Sequence, residues 1–191
     1  MAMSRRGKPL TVTDALVDDI LTLEYGKART FAVLAALFPH VDTRNQFHVD
    51  HVFPAALVDR KKLRRKLRED GTPRFSEDQI DDLIGKRDLL PNLQLLSGLE
   101  NIGKSAKSPA EWLTAEYLSE DQRSEFLSRN ALPRSLPESV DEFAEFFEAR
   151  RQNLVARIHE PLRPQVPEPA TTAATALVDL DEELSEGDDT E

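Results

Sequence analysis

Two short β-prone runs set the limits on what this chain can fold into. The first, Phe47-His48-Val49-Asp50-His51-Val52-Phe53, alternates apolar and polar residues and stops at Pro54, so it reads as a strand cut off by a proline. The second, Leu93-Gln94-Leu95-Leu96, lies about forty residues on, behind Pro91-Asn92. The rest of the ordered chain reads mostly as helix, so the expected class is α+β, mainly α-helical, with a two-strand hairpin. Strict alternation sends the side chains of Asp50 and His51 to opposite faces. For both to serve one site, the chain must bend there, and Pro54 favours an abrupt strand end.

The helical segments carry their own start and stop signals. Thr13 can cap a helix running to about Tyr25, with Leu16, Val17, Ile20, Leu21 and Leu23 as its apolar stripe and Gly26 as its break. Ala28 to Phe38 is apolar almost all round and belongs in the core, with Pro39 ending it. Residues 57–69 read as a basic amphipathic helix with Leu57, Leu63 and Leu67 on a thin apolar side. Ser76-Glu77-Asp78-Gln79 and Ser108-Pro109-Ala110-Glu111 are capping boxes, the second with proline at the first helical position. The first opens a short helix to about Ile84, closed by Gly85; the second opens a helix holding Trp112, expected in the core, Leu113 and Tyr117. Ser119 and Ser139 repeat the device, the latter within a last long helix where Phe143, Phe146, Phe147, Leu154 and Ile158 recur at core spacing. Gly98 is expected to turn the chain into one more helix, placing Asn101 and Lys104 on a shared face.

Composition narrows the function classes. The chain has 191 residues and no cysteine, which excludes disulfides, thiol catalysis and Cys-based zinc sites. Its most apolar run, Phe31 to Phe38, is far too short to span a bilayer, and a cytoplasmic location is the expectation. Residues 1–10 and 161–191 read as disordered ends around one domain over 11–160. The net charge of −10 belongs to the tail: nine of the 35 acidic residues lie from Pro164 on, with no Lys or Arg among them, leaving 26 acids against 25 bases before it. Within that balanced part, Arg60, Lys61, Lys62, Arg64, Arg65, Lys66 and Arg68 put seven cations into nine residues. Such a run is either a solvated helix face or the footprint of a phosphate-backbone binder, and the second reading is preferred.

The residues around the two strands suit phosphodiester hydrolysis, which needs a base for water, a cation for the departing oxygen and a means of holding the backbone in line. Neutral imidazole suits the first role. Mg²⁺ (or Mn²⁺) suits the second, taking one or two protein oxygens and keeping several waters. Asp50 offers a carboxylate and Asn101 a carbonyl oxygen, while Asn92 can hold the loop carrying His51 through side-chain to backbone hydrogen bonds.

Taken together, Asp50-His51-Val52-Phe53-Pro54, Asn92 and Asn101-Ile102-Gly103-Lys104-Ser105 resemble the ββα-metal (His-Me finger, HNH) nuclease motif in its His-Asn-Asn variant. The HNH domain of the RNA-guided CRISPR effector has a similar order. The C-terminal domain of GmrSD-type restriction endonucleases is similar over more of the chain, including Asn92-Leu93-Gln94-Leu95-Leu96 and Pro109-Ala110-Glu111-Trp112-Leu113. The likeness spans roughly residues 14–160 and is dense over 47–113. It implies a metal-dependent DNA endonuclease with His51 as general base, Asp50 and Asn101 as metal ligands and Asn92 orienting the base. It also implies restriction of foreign DNA, in some members DNA with modified cytosines. Two features depart from the family. Ala55-Ala56 follow Pro54 where a basic or small polar residue is common, and the large N-terminal nucleotide-using domain of such proteins is not part of this sequence. The readings left open are a truncated gene product, a separately encoded half whose partner is a nucleotide-using recognition subunit, and a degenerate remnant.

Lys104 is expected to contact phosphate. His48 either supports the site or contacts substrate, or simply packs. His40 and His159 are read as surface residues and the acidic tail as a solvating one. The rival functions are a catalytically silent DNA-binding or regulatory module and a truncated subunit that needs a separate nucleotide-using partner before it cuts.

Overall fold

The computed structural model describes residues 12–41, 47–97, 104 and 107–159. All of them belong to a compact unit spanning Met1–Pro161, and a second unit comprises Leu162–Glu191. The N-terminal ten residues, the turn at Gly98, Asn101 and the acidic tail lie outside the described residues.

Seven described helices surround one two-stranded antiparallel sheet, so the chain is α+β and mostly helical. In order they are α1 (Asp14–Leu21), α2 (Ala28–Leu37), β1 (Phe47–His51), α3 (Arg60–Arg65), α4 (Glu77–Arg87), β2 (Leu93–Ser97), α5 (Pro109–Glu116), α6 (Glu120–Arg129) and α7 (Phe143–His159). Single 3₁₀ turns precede α3, β2 and α7. Thr13 caps α1, and complete capping boxes open α4, α5 and α6, at Ser76, Ser108 and Ser119. Each box satisfies backbone donors that a helix start leaves open.

Several boundaries move from their sequence-based positions, each for a local reason. The first helix ends at Leu21 rather than near Tyr25, because Glu24 forms a bridge with Leu89 and the Tyr25 amide donates to the Asp88 carbonyl at 2.8 Å. Gly26, at φ +78°, then reverses the chain into α2. The basic helix covers only Arg60–Arg65, since Leu67 pairs with Pro73 in a second bridge that draws the chain out of helix. Gly85 does not close α4, which runs on to Arg87.

The sheet separates two apolar clusters. Val52, Phe53 and Leu96 pack with Trp112 of α5, Phe126 of α6 and Phe143 of α7. Leu93 and Leu95 pack with Val17 of α1, Leu34 of α2 and Leu154 and Ile158 of α7. Helix α7 serves both clusters, its phenylalanines in one and its last turns in the other. Trp112 is buried as expected, edge-on to Phe126. No helix among the described residues is long and apolar enough to cross a membrane.

Between the two halves of α7 sits Arg150, which is 0% exposed. Its Nη2 donates to the Leu93 carbonyl at 3.2 Å, while Nε and Nη1 have no hydrogen-bond partner. Burial pulls its pKa below the ordinary arginine value. At neutral pH the group is charged in folded and unfolded chains alike, so the desolvation cost counts in full. Arg150→Met keeps the length of the side chain and removes that cost. Thermal denaturation is expected to show stability unchanged or raised, and a loss of more than about 2 kcal/mol would mean that the Leu93 bond outweighs desolvation.

Candidate functional site

The end of β1 is held by Asn92, which is fully buried in the 3₁₀ turn ahead of β2. Its side-chain Oδ1 accepts from the Phe53 amide at 2.8 Å. Its Nδ2 donates to the Phe53 carbonyl at 3.1 Å and to the Arg87 carbonyl at 2.8 Å. Its own carbonyl accepts from the Val52 amide at 2.7 Å. One carboxamide thus ties the turn after His51 to the end of α4. This is the loop-holding geometry expected of Asn92.

The strand does not bend between Asp50 and His51. Ladder pairing continues through both, with Asp50 opposite Gln94 and His51 opposite Leu93, and the turn begins only at Val52. The two side chains therefore leave on opposite faces, and their partners differ accordingly.

On the His51 side, Nε2 lies 2.8 Å from Asp88 Oδ1. Asp88 Oδ2 accepts from Arg87 Nη2 at 2.6 Å and Nε at 3.1 Å. The hydrogen bond from Arg87, and behind it that from His51, holds the Asp88 carboxyl below the usual aspartate range. The Tyr25 ring lies against the imidazole, 4.5 Å between centroids. Asp88, Arg87 and Tyr25 carry no sequence signal as site residues: the first two lie beyond the helix end expected at Gly85, and Tyr25 reads as the end of α1. Only the bridge between Glu24 and Leu89 brings Tyr25 there.

On the other face, Asp50 Oδ2 lies 2.5 Å from Lys104 Nζ, which also donates to the His51 carbonyl. Lys104 is helical and 2% exposed, and burial lowers its pKa against the opposing pull of Asp50. In place of the expected phosphate contact, the ammonium is turned inward because Asp50 neutralises it. His48, on the same face as Asp50, is exposed rather than packed. His40 is exposed, whereas His159 is partly buried.

For a divalent cation this face offers oxygen donors. The Gln94 carboxamide, opposite Asp50, is buried with Nε2 and Oε1 unpartnered. A carboxylate and a carboxamide oxygen suit Mg²⁺ or Mn²⁺, which need few protein ligands. No group of three His, Cys, Asp or Glu gathers among the described residues, and Asn101 lies outside them. An ion on Asp50 would have to share it with Lys104 or displace it.

The basic stretch is partly neutralised from within. Arg64 makes a two-point bond to Glu77, at 2.9 and 2.7 Å. Arg60 pairs with Asp81 and, at 3.6 Å, with Glu77. Lys66 lies 3.9 Å from Asp141, and Lys62 donates to the Ala56 carbonyl at 2.7 Å. Lys61, Arg65 and Arg68 are exposed and have no ion pair among the described residues. Exposed pairs such as these add little stability, but they cancel charge that the sequence leaves open.

Asn92→Ala removes three side-chain bonds at once and leaves the buried Phe53 amide without a partner. Unsatisfied buried groups cost about 1–3 kcal/mol each, so urea denaturation is expected to show a loss of about 3 kcal/mol or more. A loss under about 1 kcal/mol would mean that water replaces the carboxamide.

Compared with known proteins, the chain matches no family model, and no curated protein matches it.

Proposed function

We propose that this chain is a metal-dependent DNA endonuclease of the ββα-metal type, acting in restriction or defence against foreign DNA. The observation that carries the reading is the Asn92 clamp. It holds the turn directly after His51, which leaves an imidazole and a carboxylate anchored at the last two positions of a strand. The antiparallel β1–β2 pair and Lys104 in helical conformation are consistent with a ββα finger, whose remaining metal ligand would be Asn101.

Because Asp50 and His51 leave β1 on opposite faces, this reading requires the end of the strand to rearrange when metal or DNA binds. His51 then takes a proton from the attacking water, and Asn92 keeps the turn behind it from shifting. Asp50, with Asn101, would hold Mg²⁺ or Mn²⁺, which when bound supplies positive charge to the phosphate and the departing oxygen. Lys61, Arg65 and Arg68 supply the attraction for the duplex. His48, exposed beside Asp50, is placed to contact substrate.

One observation favours a second reading, a catalytically silent DNA-binding or regulatory module. Lys104 already stands as the cation on Asp50. Plasmid nicking with Mg²⁺ or Mn²⁺ separates the two. The wild type is expected to nick, and His51→Ala to lose about 10²–10⁴-fold in rate with DNA affinity nearly unchanged, as befits loss of a general base. Wild-type-level cutting by His51→Ala would remove the imidazole from the mechanism, and no cutting by any preparation of the wild type would favour the silent module.

The charge pairs refine what the basic stretch should do. Reversing Lys61, Arg65 and Arg68 to Glu is expected to flatten the slope of log affinity against log salt by about two to three units, at roughly 0.9 for each phosphate no longer neutralised. Reversing Arg60 and Arg64 should flatten it less, because their charge is already answered by Glu77 and Asp81. Equal effects per residue from the two sets, at roughly 0.9 each, in a salt titration on one duplex would show that the internal pairs open on binding.

A further inference from the structure

We infer that Asp88 is the positioning residue of His51: its carboxylate accepts a hydrogen bond from Nε2–H and leaves Nδ1 as the nitrogen that receives a proton from water. The catalytic half of this inference rests on the nuclease reading above; the placement of the proton does not.

An ionised carboxylate has acceptors and no donor. Asp88 is kept ionised by Arg87, whose Nε and Nη2 both point at Oδ2. That leaves Oδ1 for His51, 2.8 Å from Nε2. Nε2 must therefore be the donor, and a neutral ring then carries its lone pair on Nδ1. Imidazole tautomer is set by the bond that the other nitrogen makes.

The ring is held as well as polarised. Tyr25 lies against it with the two planes 35° apart, and the Tyr25 backbone amide donates to the Asp88 carbonyl at 2.8 Å. The two groups that flank His51 are thus anchored on one residue, which follows the Arg87 carbonyl that Asn92 binds. His51 keeps a side-chain exposure of 12%, so the ring is enclosed but not sealed. A general base gains from both features, because a wrong tautomer presents a proton to the water that should lose one.

The test uses the full chain with ¹⁵N-labelled histidine. The protein has four histidines, and His51→Ala identifies the His51 signals. At a pH where the ring is neutral, wild-type His51 is expected to show a protonated Nε2 and an unprotonated Nδ1. Asp88→Asn, whose carboxamide can donate as well as accept, should give a mixture or the reverse, and Asp88→Glu should restore the original form at least in part. In nicking assays Asp88→Asn is expected to lower kcat by up to about 10⁴-fold with KM little changed, the size of loss when a general-base histidine is left in the wrong tautomer. An unprotonated Nε2 in the wild type overturns the inference without recourse to any variant, as does an Asp88→Asn spectrum identical to wild type. A wild type with the expected tautomer that never nicks DNA upholds the His51–Asp88 geometry and overturns the nuclease reading instead.

Discussion

The structure around the site depends on one buried carboxamide. Asn92 has no exposure to water, so its donors and acceptor must be answered inside the protein. They are answered by the two backbone groups of Phe53 and the carbonyl of Arg87. The consequence is geometric. The turn that ends β1, the end of α4 and the start of β2 are fixed to one another through a single side chain. His51 immediately precedes the first of these and Asp88 follows the second. Their 2.8 Å contact links positions 37 residues apart.

The sheet then decides what can meet what. With only two strands, each face is covered by a different apolar cluster, and α7 is long enough to serve both. Alternation holds to the last pair of the ladder, so Asp50 and His51 look into different surroundings although they are neighbours in sequence. Asp50 faces Lys104, whose charge would otherwise be stranded in a buried place. His51 faces an ionised Asp88 and an aromatic ring.

Charge outside the site follows a similar logic of pairing. The stretch from Arg60 to Arg68 reads as a block of uncompensated positive charge, yet α4 lies alongside α3 and supplies Glu77 and Asp81. Asp141, just ahead of α7, takes Arg74 and Lys66. The outward-facing positive charge is thereby concentrated on Lys61, Lys62, Arg65 and Arg68.

What the sequence by itself determined is local. Serine followed three residues later by Gln or Glu specifies a helix start, because donor and acceptor lie within one turn, and three of the four such starts appear where the pattern puts them. At the fourth, Ser139 heads only a 3₁₀ turn and Glu142 accepts from the Glu138 amide instead. Period-two alternation specifies the strands and the opposite orientations of Asp50 and His51. The order of Asp50-His51, Asn92 and Asn101 is what the proposed nuclease reading starts from. Tertiary structure decided the rest, because the side chains that do meet are brought together only by long-range pairing. The partnership of His51 with Asp88 and Tyr25, the burial of Lys104 against Asp50 and the neutralisation of Arg60 and Arg64 join residues far apart in the chain. No period or cap encodes them. Even the short extent of α3 and the early end of α1 come from bridges, Leu67 to Pro73 and Glu24 to Leu89. There the hydrogen bonds of a cross-chain partner replace those of a helix that local propensity alone would have continued.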